Sequence, residues 1–168
     1  DGKPDIIAQG GANTYAFLNT HTTGLISSTS LIPDDTLAGS STPRLEDLDG
    51  DGYLDVMSVN GPLRKNNSTL SEISYLPTVN VPLGGSMVDF ADFNNDGKTD
   101  MTITTDLSGT GDLIVLENRS ITTPGNFATG VYGSFSGNFL LNKPSANGAT
   151  ITGDFDGDGF ADIVTTNP

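Results

Sequence analysis

A nine-residue acidic phrase that recurs along the chain limits its fold more than any other feature. The full copies are Asp47-Leu48-Asp49-Gly50-Asp51-Gly52-Tyr53-Leu54-Asp55, Asp92-Phe93-Asn94-Asn95-Asp96-Gly97-Lys98-Thr99-Asp100 and Asp154-Phe155-Asp156-Gly157-Asp158-Gly159-Phe160-Ala161-Asp162. Asp1-Gly2-Lys3-Pro4-Asp5 holds the last five positions of a fourth. Each copy runs directly into an apolar, β-branched stretch: Ile6-Ile7-Ala8, Val56-Met57-Ser58-Val59, Met101-Thr102-Ile103 and Ile163-Val164-Thr165. Measured at the fifth loop position, the copies stand at Asp1, Asp51, Asp96 and Asp158, so the spacings are 50, 45 and 62 residues. Units of that length hold about four strands each and are too long for leucine-rich or ankyrin units.

The loop chemistry points to a hard divalent cation. Calcium takes about six to eight oxygen ligands from a loop that can wrap around it. Acid or amide side chains at positions 1, 3 and 5 supply three: Asp47, Asp49 and Asp51; Asp92, Asn94 and Asp96; Asp154, Asp156 and Asp158. Glycine at position 6 permits the left-handed backbone that closes the turn, and position 7 (Tyr53, Lys98, Phe160) is placed to offer its main-chain carbonyl. An EF-hand shares this first half but needs an acid at position 12 and flanking helices. Position 12 here is Ser58, Ile103 or Thr165, each in a strand-forming run. The closing acid falls instead at position 9, as Asp55, Asp100 and Asp162, with Asp5 in the partial copy. Three complete Ca2+ sites are therefore expected. A fourth, at Asp1 and Asp5, is complete only with ligands from upstream residues or another chain.

Charge supports the same reading. The chain carries 21 acidic and seven basic residues, net −14, and the four copies contain 13 of the acids. Carboxylates crowded into short loops are costly without a neutralising cation. Seven scattered basic residues form no patch, which argues against nucleic acid. There is no cysteine, so calcium rather than disulfides would be the staple. No run of about 18 apolar residues offers a membrane span.

Strand signals surround each loop, and no window shows a helical stripe. Short strands are expected ahead of the loops at 44–46, 87–90 and 149–152. Third strands are expected at 14–19, at 112–118 and, in unit two, around 71–76, with a weak fourth at 79–81. The apolar second position (Leu48, Phe93, Phe155) is expected to point into the protein. The long third unit is expected to carry a hairpin over 121–148 whose aromatics (Phe127, Tyr132, Phe135, Phe139) pack on a neighbour or meet a ligand. The fold class is all-β.

These loops and strands resemble FG-GAP/VCBS-type repeats, the calcium-binding blades of integrin α-subunit propellers, many bacterial secreted proteins and some lectins. The Phe-Gly and Gly-Ala-Pro signatures are not evident, which makes the bacterial type the closer likeness. The resemblance implies a β-propeller segment of about three four-stranded blades, with a Ca2+ loop between the first and second strands of each. The units would be about 1–46, 47–91 and 92–153, with a final loop and strand at 154–168, in one partial propeller over 1–168. Three blades do not close a ring, so further blades from the same or another chain are expected. The resemblance also implies a secreted or cell-surface binding or structural module for adhesion or scaffolding, with a protein or glycan ligand. The alternatives are the accessory propeller of a secreted enzyme and a carbohydrate-binding lectin. No catalytic role is expected: His21 is the sole histidine and lies in a Thr-rich turn, and there is no Gly-x-Ser-x-Gly elbow. Sequons stand at 66–69 and 118–120.

Overall fold

The apolar run after each acidic loop is a strand, and the loop joins it to the strand before. The computed structural model describes residues 1–38, 42–58, 62–76, 79–80, 87–105, 112–118, 141–142 and 149–166. Four antiparallel sheets follow one another as meanders. The first is β1 (Ile6–Gly10), β2 (Asn13–Asn19) and β3 (Leu31–Ala38). The second is β4 (Pro43–Glu46), β5 (Asp55–Ser58), β6 (Pro62–Arg64) and β7 (Val79–Asn80). The third is β8 (Met87–Ala91), β9 (Asp100–Thr105), β10 (Asp112–Leu116) and β11 (Leu141–Asn142), and the fourth pairs β12 (Thr150–Gly153) with β13 (Asp162–Thr165). The full loops thus connect β4 to β5, β8 to β9 and β12 to β13, in register pairs that end at the loop: Glu46 opposite Asp55, Ala91 opposite Asp100 and Gly153 opposite Asp162.

Two of the strands after the loops are covered on both faces, whereas β1 and β13 are partly exposed. All four residues of β5 are buried, as are Met101 to Thr104 in β9. The core lies between the second and third sheets. Leu48, Met57 and Leu63 face Val88, Met101, Ile103, Ile114 and Leu116, with Phe90 against the cluster. Side-chain bonds to main chain, rather than ladders, join the sheets. Arg44 Nε donates to Val88 O (3.2 Å), and Thr152 Oγ1 donates to Phe90 O (2.8 Å), so β8 lies between β4 and β12.

One strand expectation changes. The third strand of the second sheet is β6 at 62–64, not the stretch around 71–76. Residues 66–75 form an irregular arm with bridges Asn66–Tyr75 and Thr69–Glu72. A single apolar residue, Leu63, anchors β6, and its neighbours Pro62 and Lys65 hide the alternation. A further strand is β3, whose alternation Pro33, Asp34 and Asp35 conceal. It pairs with β2 through a register shift at Ala16/Phe17, which leaves Asp34 as the extra residue of a bulge. Asp34 uses its freed position to accept the Ile73 N–H in the 66–75 arm. The hairpin expected over 121–148 lies outside the described residues, apart from β11.

Candidate metal centres

The position-1 acid organises each loop. Asp47 Oδ1 accepts the N–H groups of Gly50 (2.8 Å) and Asp51 (3.1 Å), while its Oδ2 accepts that of Gly52 (2.8 Å). Asp154 receives the same three donors from Gly157, Asp158 and Gly159. Asp92 receives those of Asp96 and Gly97. Such a tight turn needs left-handed residues at two positions. Position 6 has φ of 89°, 83° and 90° at Gly52, Gly97 and Gly159. Position 4 has 73° at Gly50, 57° at Asn95 and 81° at Gly157. Asn95 shows that position 4 tolerates a non-glycine residue of a type that visits this region more readily than most.

Positions 3 and 5 continue the frame. Asp49, Asn94 and Asp156 each accept the N–H of position 5, and Asp51, Asp96 and Asp158 each accept that of position 7, at 2.9, 3.0 and 2.8 Å. The partial copy keeps this half: Gly2 has φ 80°, and Lys3 N–H reaches Asp1 Oδ1 at 2.9 Å.

Position 9 ties the loop to the sheet. One oxygen of Asp55, Asp100 and Asp162 accepts the N–H of position 2, from Leu48, Phe93 and Phe155 at 3.1, 3.0 and 3.1 Å. The other oxygen accepts a main-chain N–H from an asparagine just beyond the third strand: Asn66 to Asp55 (2.8 Å) and Asn118 to Asp100 (2.6 Å). In the partial copy Asn19, the last residue of β2, does the same for Asp5 (2.8 Å). Each asparagine also returns its side-chain amide to the carbonyl before the acid, at Leu54, Thr99 and Pro4. The sequence reading did not single out Asn19, Asn66 and Asn118 for this role. Their signal is an asparagine ending each third strand, 14, 11 and 18 residues after the acid. Asn118 is 2 % exposed and also donates to Leu48 O across the sheet interface. This use of Asn118, and that of the Asn66 amide, removes both from the sequon candidates, whereas Asn67 is exposed.

Carboxylate oxygens converge at two of the loops. Those of Asp47, Asp49 and Asp55 lie within 4.8 Å of one another, as do those of Asp154, Asp156 and Asp162. Asp51 and Asp158, each turned to its own position-7 N–H, stand outside these groups of three. In loop 92–100 position 3 is the amide Asn94 rather than an acid, and the Asp96 and Asp92 carboxylates lie near enough to Asp100 to act on it. Electrostatics differ by depth. Burial pushes the Asp55 carboxyl up to about 6, against partial relief from the Asn66 and Leu48 amides. Burial likewise raises Asp100, and the carboxylates of Asp96 and Asp92 add to it. An oxygen-only donor set with acids raised by burial and by each other suits a hard cation. The second-position side chains diverge from expectation. Leu48 enters the core and Phe93 is half-buried, but Phe155 is 54 % exposed, because the two-stranded β12–β13 sheet leaves its ring against Gly153 with solvent beyond.

One basic side chain enters a loop. Lys65 Nζ bonds Asp49 Oδ2 and, at 2.6 Å, Asp51 Oδ2. Burial disfavours the Asp51 charge, but its bonds from Lys65 and Tyr53 prevail and hold this carboxyl below its usual value. Burial also opposes the Lys65 charge, and its two carboxylate partners outweigh it and raise the amine. Lys98 Nζ stands 3.6 Å from Asp96 Oδ2, with both side chains about a third exposed.

A family model described as an FG-GAP-like repeat matches residues 1–58, and one described as an FG-GAP repeat matches residues 146–168. The chain carries FG-GAP-type repeats. The first match spans the partial copy and loop 47–55, and the second spans loop 154–162. Loop 92–100 lies between the matched stretches, and its hydrogen-bond frame is that of its neighbours. No curated protein matched the sequence. FG-GAP repeats are typical of propeller-type binding or structural modules on or outside cells, and they often bind calcium. Among the described residues no helix is long and apolar enough to cross a membrane.

Proposed function

We propose that the protein is a calcium-stabilised, extracellular binding or structural module whose four sheets are consecutive propeller blades. The observation that carries this is one hydrogen-bond frame built three times in full and once in part, with acids gathered at two of the loops where a turn meets a strand. Calcium would be held in loops 92–100 and 154–162 by the side chains of positions 1, 3, 5 and 9 and the carbonyl of position 7. Those residues are Asp92, Asn94, Asp96, Lys98 and Asp100, and Asp154, Asp156, Asp158, Phe160 and Asp162. Loop 47–55 offers the same oxygens from Asp47, Asp49, Asp51, Tyr53 and Asp55 but already holds an ammonium. Asp1 and Asp5 would take an ion only where further oxygens reach them.

In these sites the ion supplies charge neutralisation and nothing else. The chain's own part is to converge the oxygens and to couple them to the sheet through the position-9 acid and its asparagine. Metal binding is then folding energy, which suits a permanent staple better than a calcium sensor. The position of β8 between β4 and β12 supports blades that meet along the strands ahead of the loops. The test is a thermal melt with calcium and with chelator, alongside calorimetric titration of calcium. A melting temperature several degrees lower in chelator is expected; an unchanged melt with no heat of calcium binding would overturn the reading.

A further inference from the structure

We propose that Lys65 is a tethered counter-ion that takes a cation's place in loop 47–55, so that this loop holds its shape without metal; the contrasting dependence of loops 92–100 and 154–162 rests on the calcium reading above. Lys65 follows β6, where pairing of Arg64 with Val56 sets the alternation. Leu63 is wholly buried, Arg64 is half-buried and Lys65 is 7 % exposed, so the lysine occupies a core-facing position. A buried ammonium there is costly unless it is paired and hydrogen-bonded. Two carboxylates meet that need. The side-chain exposures of Lys65, Asp49 and Asp51 are 9, 10 and 21 %.

Among the described residues the other loops show no equivalent, since Lys3 in the partial copy pairs only with Asp1 beside it, at 3.4 Å. The residues that precede the frame asparagines elsewhere are Leu18 and Glu117, neither of them basic. Lys98 is peripheral, a third exposed and 3.6 Å from its one acid. Among the described residues no lysine or arginine forms an ion pair within loop 154–162. A calcium ion entering loop 47–55 must share the Asp49 and Asp51 oxygens with an ammonium already bonded to both. It must either tolerate a like charge in a poorly solvated place or expel Lys65 and forfeit two charge-assisted bonds. The loops are therefore alike in backbone and different in what neutralises them.

The test uses the whole chain as wild type, Lys65→Met, Asp49→Asn and Asp156→Asn. In chelator, Lys65→Met and Asp49→Asn should melt below wild type, while Asp156→Asn should match it and fall behind only when calcium is present. In calorimetry Lys65→Met should bind one more calcium per chain than wild type, at an affinity roughly 10- to 100-fold above that of the same loop with its lysine, the range set by losing a charge-assisted bond. Added calcium should also restore the melt of Lys65→Met, a rescue that a merely packing role would not produce. Should Lys65→Met fail to fold, Asp51→Asn, which removes one partner of the amine, provides the same chelator comparison. A Lys65→Met protein with wild-type ion number and wild-type melting in chelator would overturn the proposal. If neither protein binds calcium and Lys65→Met still melts lower in chelator, the counter-ion role stands and the calcium reading falls.

Discussion

At the scale of single residues, the position-9 acid and its asparagine carry more structure than their spacing suggests. Asp100 would be a buried charge with nothing to meet it were it not for the N–H groups of Phe93 and Asn118. Asn118 in turn satisfies two carbonyls, at Thr99 and Leu48, on two different sheets. Asn118→Ala should therefore cost about 2–3 kcal/mol in urea denaturation, because it strands buried acceptors. Asn19→Ala, at an exposed end of the first sheet, should cost less. Tyr75 gives a pH-dependent reading of the same region. Burial, followed by the carboxylates of Asp55, Asp35 and Asp5, pushes its phenol up to about 12. A folded value above the ordinary 10 means stability present up to about pH 10 and lost as pH rises toward 12. An absorbance titration should show a late-ionising phenol that is missing from Tyr75→Phe, and the same substitution should remove that loss of stability.

At the scale of the element, the acidic loop is a turn before it is a metal site. Its hydrogen bonds run from backbone N–H groups to aspartate oxygens, and they require left-handed residues at positions 4 and 6. A Cβ at Gly97 meets nothing within 4 Å, so substitution there tests backbone strain alone. Gly97→Ala should lower stability by about 1–2 kcal/mol. Gly97→Asn should lose less, as the native Asn95 at φ 57° indicates. Thermal melts in chelator measure the strain free of any metal contribution. Position 6 was legible in the sequence as an invariant glycine of the phrase. Position 4 was not, because two glycines and an asparagine look like composition until their dihedral angles are known.

At the scale of the molecule, the sheets are held by the faces they share. An apolar core lies between the second and third sheets, and β9 is buried from Asp100 to Thr104. Ile103→Ala should cost about 3 kcal/mol and loosen both sheets together. Hydrogen exchange should be slowest in β5, β9 and β10. It should be faster in β13, where Val164 is 47 % exposed and, among the described residues, the one partner strand is β12. Equal protection across all four sheets would contradict a core placed this way.

The sequence by itself determined the all-β class, the loops, the strands on either side of them and the position of the acids within them. It could do so because these features are local: a loop of nine residues closes on its own backbone, and the strand after it is read from two or three β-branched side chains. The tertiary structure alone decided what lies across from each loop. That β6 is a three-residue strand at 62–64, that Asp34 leaves β3 to hold a distant arm, and that Phe155 stays exposed while Leu48 is buried all follow from neighbours far away in sequence. The same holds for the acidic phrase itself. Three copies of one phrase take the same shape, yet among the described residues only loop 47–55 is entered by a lysine from outside the loop, because the residue that supplies the charge follows another strand, 14 and 16 residues beyond the acids it neutralises.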